Sequence, residues 1–248
     1  MFSEAHGHLR GDVDSAVMRA ENAGVELILV AGIDLASSEK AVSLAARYKP
    51  VKACVGIHPW NADEYGGRAR ERLLELASKD GVVAISEIGL DAVGRRNRSG
   101  EYVNEPLPMD VQLKAFFGQL NLAKEVDLPV IVHDRMPGEE VLNYLEERDV
   151  GSLGSAIHGF DKDETYAERF TAMGAYLSIS ARSILVPENE GLRKAIMSTP
   201  IGWLLTETDR GEPAEVVESA REVAKLKRLT VEETGRKTTE NLRRLLRL

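Results

Sequence analysis

Five histidines, the chain's whole complement, and two carboxylates carry the residue types of a metal centre: His6, His8, His58, His133, His158, Glu87 and Asp209. Each histidine sits at or just after the end of a short apolar run, as do Glu87 in SEIGLD and Asp209 in TETD. In His6-x-His8 the two-residue step puts both imidazoles on the same side of an extended strand, where they can reach one ion. Imidazole combined with carboxylate suits Zn, Mn, Ni or Fe, and carboxylate-rich sites also accept Mg. Buried carboxylates need cationic partners. Arg135 and Arg182 could serve Glu87 and Asp209, but four histidines aimed at the same place favour metal.

The elements that would bring such distant residues together are legible in the punctuation. Eight apolar runs alternate with longer stretches of helical periodicity: FSEAH near the start, ELILVAGI from Glu26, VKACVGI from Val51, VVAISEI from Val82, LPVIVH from Leu128, SLGSAIH from Ser152, GAYLSIS from Gly174 and IGWLLTE from Ile201. Between them lie helices such as VDSAVMRAENAG from Val13 and VQLKAFFGQLNLAKEV from Val111, with apolar residues at three- and four-residue steps. Repeated βα units imply a parallel sheet, and eight of them in 248 residues suit a closed (β/α)8 TIM barrel of one domain, residues 1–248. In that fold all strand ends open on one face, so the histidines, Glu87 and Asp209 would cluster. Residues 92–108 are expected to form a long irregular loop on that face, and VEETGRK followed by TENLRRLLRL two short closing helices.

Composition narrows the function classes. Aromatics make up only 5% of the chain, which argues against extended base-stacking platforms. The net charge of −8 opposes long-range attraction to nucleic acid, so a polyanionic substrate would need metal or a local basic patch. The single cysteine, Cys54, cannot form an intramolecular disulfide. The longest apolar runs are strand-sized, far below the roughly 20 residues of a membrane span. No charged leader or apolar signal stretch opens the chain, and a cytoplasmic location is expected.

Six motifs in order, EAHGHL at 4–9, GIHPW at 56–60, EIGLD at 87–91, LPVIVHDR at 128–135, IHGF at 157–160 and TETD at 206–209, resemble those of the TatD-related metal-dependent nucleases among the amidohydrolase-like barrels. The resemblance implies two divalent ions (Zn, Mn or Mg). One would be held by His6, His8, Glu87 and Asp209, and the other by His133 and His158, with Glu87 bridging. It also implies phosphodiester hydrolysis of DNA by a metal-activated water, with Glu87 and Asp209 as the catalytic carboxylates and Asp209 taking the water's proton. The chain departs from the family pattern at Glu4 (usually Asp), at Gly159 (often Cys) and in Arg210-Gly211-Glu212-Pro213 after Asp209.

Other residues keep two readings. His58 either holds a substrate phosphate or hydrogen-bonds within a turn fixed by Pro59. Arg135 either grips phosphate with its planar guanidinium or pairs with Asp134 or a loop carboxylate. Arg95, Arg96, Asn97 and Arg98 form a solvated loop or a phosphate contact. Asp91 caps the loop or meets a ligand, and Trp60 stacks on a base or closes the pocket rim. Two further functions compete with nuclease activity: hydrolysis of a carbonyl substrate (an amide, a lactone or an aminoacyl-tRNA ester), and binding of metal or nucleic acid without turnover. Glu87 stands where many related barrels carry a carbamylated lysine, which favours the nuclease branch.

Overall fold

Successive residues along each barrel strand go to two different apolar clusters in the computed structural model, which describes residues 1–96 and 101–248. In β1 (Phe2–Gly7) Phe2 faces the outer cluster and Ala5 the inner; in β2 (Val25–Ala31) Ile28 and Val30 go outward, Leu27 and Leu29 inward; in β3 (Val51–Val55) only Cys54 turns inward. Strands buried on both faces in this way are the mark of a parallel sheet covered by helices. β4 (Val82–Asp91) follows, then a small antiparallel pair, β5 (Arg95–Arg96) with β6 (Tyr102–Asn104), then β7 (Val130–Arg135), β8 (Ser155–His158), β9 (Ala175–Ser180) and β10 (Leu204–Glu207).

The eight long strands are parallel in the order β1-β2-β3-β4-β7-β8-β9-β10. Hydrogen bonds rather than a ladder join the last strand to the first: Asp209 N donates to His6 O at 3.0 Å, His8 N to Arg210 O at 2.8 Å, and Thr208 N to Glu4 Oε1 at 2.9 Å. Helices fill the connections: α1 (Val13–Asn22), α2 (Leu35–Arg47), α3 (Gly67–Ala77), α4 (Met109–Val126), α5 (Glu140–Glu147), α6 (Glu164–Ala172), α7 (Ala181–Ile184), α8 (Glu190–Ser198), α9 (Val216–Lys227) and α10 (Val231–Leu246). The (β/α)8 barrel expected from the sequence is therefore present. No helix among the described residues is long and apolar enough to cross a membrane.

Four boundaries differ from expectation. The Ile201 run begins as a 3-10 turn (Ile201–Trp203), so only Leu204–Glu207 is strand, and the Ser152 run becomes strand at Ser155. The C-terminal stretch is one helix, α10, opened by a Thr230–Glu233 capping box. Its central Thr238 and Thr239 are fully buried, so packing overrides their weak helix propensity. Leu242, Leu245 and Leu246 of this helix join the inner cluster and floor the barrel. Finally, residues 92–108 are not wholly irregular, since β5 and β6 pair within them; Asn97 and Arg98 lie outside the described residues.

β4 departs furthest from regularity, and it carries Glu87. It runs on to Asp91, so Glu87 lies within the strand instead of ending it. Its register against β7 slips between Ile85↔Val130 and Ile88↔Val132, leaving an extra residue on β4, and Glu87 N donates across to Gly32 O at 3.0 Å. Bulges of this kind re-aim side chains beside active sites. Two residues on, Gly89 has φ +147° and pairs with His133; a Cβ there would lie 1.9 Å from the His133 carbonyl oxygen. Gly89→Ala is accordingly expected to cost about 3 kcal/mol of stability through overpacking and to displace His133. Urea unfolding reads the first effect, and an unchanged midpoint would contradict it.

Candidate metal centre

The expected convergence is visible in the side chains. Glu87, buried with 4% of its side chain exposed, is ringed by imidazoles. Its Oε2 lies 3.1 Å from His6 Nε2 and 3.8 Å from His8 Nε2. Its Oε1 lies 2.9 Å from His133 Nδ1, 2.6 Å from His158 Nε2 and 3.3 Å from His58 Nε2. Oε2 thus faces the two β1 histidines, and Oε1 faces His133, His158 and, more loosely, His58. Asp209 joins the β1 pair, with Oδ1 3.3 Å from His8 Nε2. It reaches the centre from just beyond β10 with a left-handed backbone (φ 55°), a conformation aspartate tolerates.

Each histidine has a second ring nitrogen, and its partner separates metal-type histidines from the other kind. A ligating imidazole donates its outer N–H to a carboxylate or carbonyl, which leaves the inner nitrogen's lone pair facing the ion. His8 Nδ1 lies 3.3 Å from Ala31 O, His133 Nε2 lies 3.0 Å from Asp91 Oδ2, and His158 Nδ1 lies 3.6 Å from Glu207 Oε1. His6 Nδ1 and His158 Nδ1 are both buried without a hydrogen-bond partner. His58 is the reverse case: its Nδ1 accepts from Trp60 N at 3.0 Å, so the proton of the neutral ring sits on Nε2 and points into the centre. Of the five, His58 is therefore built as a donor.

The charges respond to this crowding. Burial alone would raise the Glu87 pKa, but His158, His58 and His6, together with a hydrogen bond from His133, hold it well below the ordinary carboxylate range. Asp209 is likewise resisted by burial and lowered to about 2 by its bond to His8 and by His158 and His6. Burial pushes His58 down to about 4, so it is neutral at physiological pH. Burial opposes protonation of His133 and His158 too; Asp91 with Glu87 outweighs it for the first, and Glu87 with Glu207 for the second, raising both. Glu87 thus favours positive charge on His133 and His158. A divalent cation would supply the same charge to the same nitrogens, and the donor sets His6–His8–Glu87, Glu87–His133–His158 and His6–His158–Asp209 each gather their atoms within 4.8 Å. The residues fit metal.

Asp91 and Glu207 stand behind the centre. Asp91 is fully buried. Its Oδ1 accepts from Val93 N and Gly94 N, both at 2.7 Å, and its Oδ2 from Trp60 Nε1 at 2.9 Å and from Arg135 at 3.4 Å as well as facing His133. Arg135 pairs with this carboxylate and not with Asp134, which Lys162 neutralises at 3.2 Å. Glu207 escaped the sequence reading, though a signal was there: it is the last residue of the eighth barrel strand, at the end where the histidines gather. Arg182 approaches Asp209 only to 3.7 Å, and no arginine contacts Glu87 among the described residues.

A (β/α)8 barrel with such a cluster at its strand ends defines a metal-dependent hydrolase. The chain matches the family described as TatD related DNase over residues 4–247, and it belongs to that family. It is 31% identical to the uncharacterized metal-dependent hydrolase YabD of Bacillus subtilis, with all of both chains covered. To the 3'-5' ssDNA/RNA exonuclease TatD of Erwinia billingiae it is 33% identical, over 96% of this chain and 94% of the relative. The crystal structure of YjjV, a TatD homologue from Escherichia coli K12, superposes with a TM-score of 0.85 at 26% identity, covering 100% of this chain and 98% of that one.

Two outcomes follow from the protonation pattern. Zn2+ binding near neutral pH is expected to release protons, chiefly from His158 and His133, and to weaken as pH falls; a calorimetric heat independent of the buffer's ionisation enthalpy would contradict this. Burial works against ionisation of Asp91, but its bond with His133, the Gly94 amide and Arg135 hold its pKa at about 2 against an ordinary 3.8. Its contribution, about 2 kcal/mol at 1.36 kcal/mol per pKa unit, is complete above 3.8 and lost as pH falls to about 2. Metal-free Asp91→Asn should therefore be less stable by about that amount near neutral pH, with the gap to the unsubstituted protein closing between pH 3.8 and 2 in denaturant unfolding.

Proposed function

We propose that the protein hydrolyses phosphodiester bonds at the end of a DNA strand, using two divalent ions. The observation that carries this reading is the division of Glu87: one oxygen serves His6 and His8, the other His133 and His158. A carboxylate so placed suits a bridge, with Asp209 completing the first set. Zn, Mn and Mg all fit such donors. Bound cations would supply Lewis acidity, neutralising charge on phosphoryl oxygens and lowering the pKa of water.

The chain's own residues divide the remaining work. Asp209 is ionised at neutral pH and has 31% of its side chain open to the cavity, which suits it to orient a water and accept its proton. His58 presents its Nε2 proton as a neutral donor to a phosphate oxygen. The cavity above the centre, about 780 Å³, is also lined by Arg10, Arg95, Arg135 and Arg182. Four guanidinium groups in a chain of net charge −8 favour an anionic substrate over a neutral carbonyl compound. No lysine lines this cavity among the described residues, so carbamylated-lysine chemistry has no candidate. The relatives named as exonucleases on single-stranded DNA and RNA support a strand end as substrate. We read residues 1–248 as one domain, and the buried, unpaired thiol of Cys54 supports a cytoplasmic setting.

Purified protein supplied with Mn2+, Mg2+ or Zn2+ is expected to cleave bis(p-nitrophenyl) phosphate and single-stranded DNA. Asp209→Ala should lose roughly a hundred- to ten-thousand-fold in kcat while its circular dichroism melt is retained. Cleavage of neither substrate, or equal rates in the variant, would refute the assignment.

A further inference from the structure

Trp60 belongs to neither apolar cluster, although its fellow tryptophan, Trp203, packs against the barrel floor. It is half-buried on the 3-10 turn Pro59–Glu64 and lines the cavity. Both of its polar groups are tied down: the backbone N–H bonds to His58 Nδ1 at 3.0 Å, and Nε1–H bonds to Asp91 Oδ2 at 2.9 Å. The ring is thereby immobilised beside the metal centre, its centroid 4.3 Å from that of His58 and 6.5 Å from that of His133. Arg95 reaches over it with its guanidinium carbon 5.8 Å from the ring centroid, far looser than the 3.7 Å closure of Arg148 on Phe117.

We propose that Trp60, with Arg95 over it, forms a stacking subsite for one nucleobase, that of the nucleotide whose phosphate His58 and Arg135 engage. The inference rests on the phosphodiesterase reading above. A rigid aromatic ring loses little entropy on binding, and indole accepts any base on its π-face. Arg95 stands on the exposed β5 and can lift to close over the base from the other side. Asp91 Oδ2 links Trp60, Arg135 and His133, so a base resting on the indole sets its phosphate at a fixed offset from the centre. Binding energy from the base is then spent on orienting the bond to be broken. A single ring in an aromatic-poor chain serves a single base, as action at a strand end requires.

The test compares the trinucleotide d(TTT) with analogues in which either terminal base is replaced by hydrogen. In the unsubstituted protein, loss of one of the two terminal bases is expected to lower kcat/KM by about tenfold to a hundredfold. In Trp60→Ala that ratio should fall to about one, while Trp60→Phe, which keeps a ring, retains most of it. General damage would slow all substrates alike, so an undiminished base effect in Trp60→Ala overturns the subsite while leaving the phosphodiesterase reading intact. Cleavage of none of the substrates by the unsubstituted protein overturns both. In an independent measurement, Trp203→Phe leaves Trp60 as the only tryptophan of the two in the chain, and dAMP should quench its fluorescence saturably; no quenching overturns the proposal.

Discussion

A carboxylate with 4% of its side chain exposed stays ionised only where compensating positive charge is held against it, and around Glu87 everything else is arranged to meet that demand. Five imidazoles from four strand ends surround it, His8, His133 and His158 among them biased toward charge, and no lysine or arginine among the described residues contacts it. Imidazole differs from those side chains in that it can give up its proton to a metal at neutral pH. A centre neutralised by histidines is one whose charge can be exchanged between protons and cations, whereas an arginine in the same place would have fixed it. The bulge in β4 turns Glu87 toward two histidine pairs at once.

The outer partners carry as much of the design as the donors. Ala31 O and Asp91 each face the far nitrogen of a histidine, fixing both the ring's orientation and its tautomer, and Glu207 stands 3.6 Å from the far nitrogen of His158. His58 receives a backbone N–H where His8 and His133 face acceptors, and this single reversal sets it apart from them as a donor toward the centre. Charge divides the set along another line: burial leaves His58 and His6 lowered, whereas carboxylate partners raise His8, His133 and His158 in spite of it.

Much of this was legible in the chain itself, because barrel strands announce themselves as apolar runs and because position at a strand end is enough to bring distant residues together. His6, His8, His133, His158, Glu87 and Asp209 were found that way. Features that depend on irregular geometry were hidden. The extension of β4 to Asp91 and its slipped register cannot be read from VVAISEIGLD, since the period-two pattern carries no mark of where a bulge falls. The single long α10 was obscured by Thr238 and Thr239, whose propensity is weak but whose burial is complete. The tautomer of His58 depends on a hydrogen bond from the Trp60 amide, a backbone event that residue type does not encode.

The opposition between a net charge of −8 and a polyanionic substrate resolves by distance. Charge is screened beyond a Debye length of about 8 to 10 Å, so the net charge of −8 opposes loose attachment only where a strand comes close to the acidic exterior. Within the cavity Arg10, Arg95, Arg135 and Arg182 stand among Glu87, Asp134, Asp161, Glu207 and Asp209, so attraction of a phosphate there would depend on cations held by the centre. On the proposed phosphodiesterase reading, a strand would gain that attraction by bringing a phosphate to the buried donors, which an inserted end can do and a duplex lying across the surface cannot. The acidic exterior would then favour ends over continuous strands, so that under the proposed function the −8 that argues against a general nucleic-acid binder is compatible with action at a terminus.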